Sequence, residues 1–379
     1  MNNELKIVDL FSGCGGFGLG AELAGFKSVV AVDIEANLQS AYSRNFPETR
    51  TLLSDIAQMD SESWGLILNR QQIDGVIGGP PCQGYSRMGH SDTNDPRRTL
   101  LAHFFRTINI IKPKFFVMEN VEGLLDDKNK YELDAALEII DPQYKVLQPV
   151  VVNALDYGAP TSRKRVIVVG YMPEFVSEIH ETELIPVNSK RTTVGEAILD
   201  INEPIPQTKD KTDFGWTTYR TERDLSEYAK LMRSFPPKGL GDPEMNKKLF
   251  QGLVSGNFDT RHTPTVRERY TRLKQGQIDK TSKAKKLELN GFCPTLRAGT
   301  GTDKGSHQAV RPIHPNSGRV ITVREAARLQ GFPDWFTFHA TKWHSFRMIG
   351  NSVSPLVSRR ILGLIKSRLM STQNIAKAI

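Results

Sequence analysis

The chain has 379 residues, long for one hydrophobic core, so two domains are expected. Its 50 Lys and Arg against 42 Asp and Glu leave a net charge of +8, and no apolar run approaches membrane-spanning length. The three cysteines, Cys14, Cys82 and Cys293, are widely separated and odd in number, which excludes a disulfide scaffold and a cysteine zinc site. With a start, Met1-Asn2-Asn3-Glu4, that does not read as a signal peptide, the expectation is a reduced, cytoplasmic setting.

In chain order, Leu5-Lys6-Ile7-Val8-Asp9-Leu10-Phe11 reads as a strand, and Ser12 to Gly20 as a glycine loop opening a helix. Gly13, Gly15 and Gly18 satisfy G-x-G-x-x-G, and Asp33 ends the next apolar strand. A nicotinamide enzyme and an S-adenosylmethionine enzyme both need such a loop to admit a nucleoside, and an acid for its ribose hydroxyls. The next strand, over residues 73–78, runs into Gly79-Pro80-Pro81-Cys82-Gln83-Gly84-Tyr85-Ser86. Proline fixes φ and removes a donor, so Pro80-Pro81 makes a stiff loop that holds a thiol at its tip. A cysteine there, off the end of a buried strand, is placed as a nucleophile, whereas core packing has no need of the prolines. Phe115-Phe116-Val117-Met118 is a further strand, ending on Glu119. Ligands of a parallel α/β sheet sit beyond the carboxyl ends of its strands, so Cys82 and Glu119 share that rim.

Further strands are expected at 144–151 and 165–171, with helical periodicity at 18–25, 35–45, 98–112 and 131–140. This β-α alternation predicts a parallel sheet with helices on both faces. After Tyr171, Pro173, Pro186, Pro204, Pro206, Pro236, Pro237 and Pro243 break the pattern, which reads as a smaller domain of short strands and loops. Residues 205–290 carry 18 Lys and Arg against 11 Asp and Glu, nearly the whole basic excess, concentrated between Arg261 and Lys286. A segregated basic block suits a polyanion. Ser354 to Met370 reads as a closing helix with Ser354 as N-cap and Pro355 at its first position.

Taken together, these motifs resemble those of the bacterial-type DNA cytosine-5 methyltransferases. The likeness rests on the Phe11-to-Gly16 loop, Asp33, Ser54-Asp55-Ile56, Pro80-Pro81-Cys82-Gln83, Glu119-Asn120-Val121, Arg163-Lys164-Arg165, Arg324 through Pro333, and Gly350-Asn351-Ser352-Val353. They fall in the family's order and cover the chain except for roughly 200–290. The resemblance implies an α/β, Rossmann-like S-adenosylmethionine-dependent catalytic domain of residues 1–190 plus 345–379. A smaller, loop- and strand-rich target-recognition domain of residues 191–344 would complete the fold. It further implies Cys82 as the nucleophile on cytosine C6, Glu119 on ring N3 and the exocyclic amine, and Arg163 and Arg165 facing the extruded base and its flanking phosphates.

For S-adenosyl-L-methionine the resemblance implies a site of Phe11, Gly13, Cys14, Gly15 and Gly16 around the methionine part, with Asp33 on the ribose. Ile34 would pack on adenine beside Asp55 and Ile56, with Pro81 and Leu100 lining the pocket and Asn351, Ser352 and Val353 closing it. No metal is implied. The expected partners are double-stranded DNA and a cognate restriction endonuclease, with the protein a monomer in the cytoplasm, on the nucleoid. Three departures or reservations stand out. Thr161 replaces the family's usual Gln, Ile34 replaces a frequent aromatic, and the Arg324–Gln330 run is expected to support the fold more than to touch DNA.

Overall fold

The computed structural model describes residues 4–81, 99–187, 189–210, 212–220, 224–298 and 311–378, with side chains up to Leu369. The first part of the chain alternates strand and helix. It runs β1 (Lys6–Leu10), α1 (Gly16–Ala24), β2 (Lys27–Asp33), α2 (Ala36–Asn45), β3 (Arg50–Leu53), α3 (Ser61–Leu68) and β4 (Gly75–Gly78). It continues with α4 (Leu100–Ile111), β5 (Phe115–Val121), α5 (Asp127–Glu138), β6 (Lys145–Val146), β7 (Val150–Asn153), β8 (Thr161–Ser162) and β9 (Lys164–Tyr171).

The main sheet has the order β3-β2-β1-β4-β5-β9-β6, with β7 also paired to β9. β3, β2, β1, β4 and β5 are parallel, as the alternation predicts. β9 is antiparallel to β5, β6 and β7, so the sheet is mixed and the all-parallel expectation is corrected. The reason is chain length: the ten residues between Asn153 and Lys164 are too few for a crossover helix. The single strand expected at 144–151 is two short ones, because Pro149 between them can donate nothing to a ladder.

Strand alternation sends side chains to two hydrophobic cores. Val8, Val30, Val76, Phe116 and Met118 pack against α3, α4 and α5. On the other face Ile7, Ile77, Phe115 and Val117 meet Phe17 and Ala21 of α1 and Val357, Ile361, Leu362 and Ile365 of the last helix, α12 (Pro355–Ala378). The end of the chain thus completes the core begun by its first strand. Ser354 precedes α12 and its carbonyl accepts from Val357 and Ser358, but its hydroxyl makes no capping bond.

After Tyr171 come α6 (Val194–Ile198), β10 (Thr217–Thr218), α7 (Glu227–Met232), α8 (Pro243–Phe250), β11 (Leu253–Val254), α9 (Pro264–Arg272) and β12 (Cys293–Pro294). Then follow α10 (Val323–Gln330) and α11 (Lys342–Asn351). The region is loop-rich and its strands are two residues long, yet its periodic segments are helices. Pro243 and Pro264 occupy first helical positions behind the caps Asp242 and Thr263, so they start helices where the sequence reads as broken. Residues of α6, α7, α8, α10 and α11 share one core with Leu19, Leu38, Tyr42 and Phe46 of the α1–α2 layer. The expected domain boundary at 344/345 falls inside α11. Among the described residues no helix is long and apolar enough to cross a membrane.

Candidate active site at the strand ends

The register of the sheet builds the site. Val32, Leu10, Gly78 and Met118 lie side by side across β2, β1, β4 and β5. Their next residues, Asp33, Phe11, Gly79 and Glu119, therefore emerge along one rim. The chain runs outward from β1 to β3 on one side and from β4 to β5 on the other, so the rim spans the point where strand order reverses. That is where open α/β sheets bind ligands.

A cavity of about 260 Å³ occupies this position. It is lined by Phe11, Gly13, Cys14, Gly16, Asp33, Ile34, Asp55, Ile56, Pro81, Leu100, Glu119, Arg163, Arg165, Asn351, Ser352 and Val353. The structure thus gathers all the expected site residues that it describes except Gly15. Gly15 caps α1 at φ 97° on the far side of the loop, where an added Cβ would strike the Phe46 ring at 2.5 Å. Gly16 admits the chain end: a Cβ there would sit 2.5 Å from the Val353 carbonyl. Cys82 and residues 83–98 lie outside the described residues; Pro81, the residue before Cys82, lines the cavity.

At the glycine loop, Asp33 is an organiser as well as a ligand candidate. One of its oxygens accepts from Gly13 N–H at 2.8 Å and the other from Glu35 N–H at 2.9 Å. Burial raises its pKa, and these backbone donors oppose the rise. Phe11 has φ 53°, a costly conformation for a bulky residue, held where the loop turns over the cavity. Ile34 is 66% exposed, an apolar side chain open beside Asp33. Asp55 caps a 3-10 turn, Ile56–Gln58, by accepting from Ala57 N–H at 2.9 Å.

At the other end, Arg165 Nε lies 2.8 Å from Glu119 Oε1 as an ion pair, with its N–H not aligned on that oxygen. The pair follows from the antiparallel register, since Arg165 opposes Val121 and is the diagonal neighbour of Glu119. Arg163 is 3% exposed and donates to the Leu296 carbonyl at 3.4 Å, which ties β9 to the segment after β12. Thr161 donates towards the carbonyls of Cys293 and Pro294 at 3.3 and 3.4 Å; it supports that segment and is fully buried. Cys14 sits 3.0 Å from the Ser352 hydroxyl, and burial pushes its thiol up to about 12, so it is a packing residue. Cys293 is likewise buried with a raised pKa.

Sequence reasoning missed several contributors. Asp9 is 1% exposed, lines the cavity, and has one carboxylate oxygen without a hydrogen-bond partner. Its burial pushes it up to about 8, the Tyr42 hydroxyl opposing the rise and Asp33 adding to it. Its signal was visible, a charged residue inside an apolar strand. Asn120 donates to the Pro80 carbonyl at 3.3 Å and so holds the base of the Cys82 loop. Arg106 of α4 donates to the carbonyls of Ile56, Ala57 and Met59 at 2.8, 3.2 and 3.1 Å, fixing the turn that presents Asp55. Arg347 and Glu35 form an ion pair across the cavity wall, which only the fold brings together.

The donor set suits one kind of ligand. Asp9, Asp33 and Asp55 make one end acidic, with an open apolar side chain for a ring, which fits the nucleoside and cationic amino-acid parts of S-adenosylmethionine. Glu119 with two arginines makes the other end fit for a polar base and its phosphates. Among the described residues no group of three or more His, Cys, Asp or Glu could hold a metal ion.

Comparison with known proteins agrees with this arrangement. The family model for the C-5 cytosine-specific DNA methylases matches residues 5–367. Type II methyltransferase M.XorII of Xanthomonas oryzae pv. oryzae is 40% identical over 96% of this chain and 84% of its own length. Type II methyltransferase M.DdeI of Desulfomicrobium norvegicum is 30% identical over 94% of this chain and 87% of its own. A crystal structure described as a DNA modification methyltransferase encoded within an E. coli prophage superposes with TM-score 0.85 at 39% identity, covering 97% of this chain and all of that one. The chain therefore belongs to the C-5 cytosine-specific DNA methylase family, and it is a DNA cytosine-5-methyltransferase on the fold of the S-adenosylmethionine-dependent methyltransferases.

Proposed function

We propose that the protein methylates C5 of one cytosine within a specific double-stranded DNA sequence, using S-adenosyl-L-methionine, through base extrusion and a covalent Cys82 adduct. The observation that carries this reading is the single cavity joining the Asp33–glycine-loop end to Pro81, Glu119 and Arg165. Phe11, Gly13, Cys14, Gly16, Asp33, Ile34, Asp55, Ile56, Leu100, Asn351, Ser352 and Val353 hold the cofactor, and Gly15 shapes its loop. S-adenosylmethionine, when bound, supplies an electrophilic methyl group to the activated C5.

This chain's residues do the rest. The target cytosine leaves the duplex at a cost of a few kcal/mol, since a stacked base cannot reach the cavity. The Cys82 thiolate adds to C6, forming the C–S bond and moving the C5=C6 electron pair into the ring. Glu119 holds N3 and the exocyclic amine, with the proton that neutralises that charge shared at N3. Arg165 orients Glu119, and Arg163 fixes the wall against Leu296. Loss of the C5 proton to a water then restores C5=C6 and breaks the C–S bond, freeing Cys82.

Residues 1–190 plus 345–379 act as the catalytic unit and 191–344 as the target-reading unit. The names of the relatives, Type II methyltransferases, support pairing with a restriction endonuclease whose sites this monomeric, cytoplasmic, nucleoid-associated enzyme protects. The test is transfer of tritiated methyl from S-adenosylmethionine to unmethylated DNA, with bisulfite sequencing of the product. Label on one cytosine of a short recurring motif is expected. Cys82→Ser should abolish both transfer and trapping on a 5-fluorocytosine duplex. Full activity in that variant removes Cys82 as nucleophile. Label on tRNA alone, or DNA binding without transfer, overturns the DNA reading or the catalytic one.

A further inference from the structure

Most basic side chains that are not fully exposed have an acid beside them. Arg233 meets Asp200, Arg269 meets Asp279, Arg319 meets Glu325 and Arg347 meets Glu35. Among the exceptions, one cluster brings two cations together. Arg311 is half-buried, its guanidinium 3.9 Å over the Phe346 ring, and no described carboxylate pairs with it. Lys342, also half-buried, donates to the backbone carbonyl of Asp259 at 2.6 Å. One carboxylate oxygen of Asp259 pairs with Arg267, and the other makes no hydrogen bond.

Several features make this an unfavourable gathering of positive charge. Lys342 is the first residue of the ten-residue α11, where the helix dipole is itself positive. Burial and the Arg311 charge push Lys342 down to about 8 against the opposing carboxylate of Asp259, and burial alone brings Arg311 down to about 10. Half-buried His262 feels Arg267, Lys342 and Arg311 together. His339 lies beside Lys342 in the wall of a small cleft, its Nδ1 accepting from Thr341 N–H. Cations that outnumber the one described acid beside them, Asp259, repel one another unless a further anion joins them.

We propose that Arg311 and Lys342, flanked by His262, form a binding site for a DNA backbone phosphate in the duplex flanking the target cytosine. The proposal rests on the DNA-methylating function and extends it to residues that the family motifs do not include. Its place suits the role. Lys342 begins the helix that ends in Asn351 at the cavity, a distance of about 13 Å along the helix at 1.5 Å per residue. That is about four base-pair steps at 3.4 Å each, so a phosphate held here belongs to the duplex flanking the target base. The guanidinium of Arg311 over Phe346 and the anchoring of Lys342 by the Asp259 carbonyl pre-set both donors, and the helix N-terminus adds backbone donors to them.

The test is binding of a fluorescent duplex by the full-length protein between 50 and 200 mM salt, with the cofactor present. Each lost phosphate contact lowers the slope of log affinity against log salt by about 0.9. The Arg311→Gln, Lys342→Gln double variant should therefore lose a slope of about 0.9, so that the wild-type advantage shrinks about threefold to fourfold across that range. Lys342→Gln alone should lose half of it, and the charge-keeping Arg311→Lys, Lys342→Arg pair should retain it. Cofactor affinity should not change, and thermal stability should not fall in Lys342→Gln, since a repelling charge has been removed. An unchanged salt slope in variants whose wild type binds DNA overturns the site, as does a loss of thermal stability in Lys342→Gln with the slope intact. A wild type that binds no DNA overturns the underlying reading instead.

Discussion

The α10 region and the floor of the cavity both bury charge, and they do so by opposite means. On α10, Arg328 is fully buried and held by two acids. Its Nε and Nη2 donate to Asp334 at 2.9 and 2.6 Å, and Nη1 and Nη2 to Asp200 at 2.5 and 3.0 Å. Arg324, also fully buried, donates to the carbonyls of Ser255, Pro333 and Phe336 at 2.9, 3.1 and 3.0 Å. Burial works against the charge of Arg328, and Asp334 and Asp200 outweigh it, leaving its pKa above the ordinary arginine value. At the cavity, by contrast, burial raises the proton affinity of Asp9 and of Asp33, the Asp33 charge adds to the rise at Asp9, and one Asp9 oxygen has no partner. Opposed charges that fill their space serve the fold. Like charges around open space await a ligand. The arginines of the Arg324–Gln330 run thus belong with packing, and those at 163 and 165 with the site.

The comparison breaks most visibly if α10 is disturbed. Asp334→Asn leaves Arg328 with one of its two acids and Arg324 without its paired acid, and should cost about 3–5 kcal/mol of stability, measured by urea unfolding. Replacing Arg328 with Met should cost a similar amount, because two buried acids are then left facing each other. If either variant unfolds like the wild type, the network is not what holds α10 to α6.

The next effect lies on the cofactor side. Asp33→Ala removes two charge-assisted bonds to the glycine loop along with the proposed ribose contact. It should weaken S-adenosylmethionine binding tenfold to a hundredfold, about 1.4–3 kcal/mol, while duplex affinity stays level. Equal loss of both affinities, seen by calorimetry, would show a general collapse of the rim. A smaller effect belongs to Arg106, a positioning residue that acts through the carbonyls beside Asp55. Arg106→Gln should raise the cofactor KM several-fold, about 1 kcal/mol, with kcat retained, and Arg106→Lys should restore part of it. A fall in kcat at constant KM would remove that role.

The same contrast explains what the sequence revealed. Four of the five parallel strands were legible because each is a short apolar run bounded by glycine, proline or a charge. The rim residues Asp33, Pro81 and Glu119 were legible because each ends or follows such a run. β3 and α3 escaped notice, since the edge strand Arg50-Thr51-Leu52-Leu53 is mostly open to solvent and α3 buries only Trp64 and Leu68. Of the helices after Tyr171, α8 and α9 were hidden by the prolines that begin them. Arg347–Glu35, Arg106 on the 56–59 turn and the Arg311–Lys342 cluster depend on pairs of distant segments, and no local spacing encodes those.

The last effect tests the open charge at Asp9 directly. Its carboxyl, ordinarily near 3.8, is pushed up to about 8 by burial in the folded chain. Between those values the folded chain holds a proton that the unfolded chain has released. Stability therefore falls as pH rises from about 4 to about 8, and above that range both states are ionised and the slope ends. Asp9→Asn keeps the size and the Tyr42 contact but cannot ionise, so it should gain on the wild type steadily across that window. The upper limit of the slope is about 1.4 kcal/mol per pH unit. Binding a cationic cofactor beside Asp9 should draw its pKa down, so the difference between the two proteins should narrow when S-adenosylmethionine is present. Parallel stability curves for wild type and Asp9→Asn from pH 4 to 8 would place that carboxylate with the compensated charges of α10, and the division between the two regions would no longer include it.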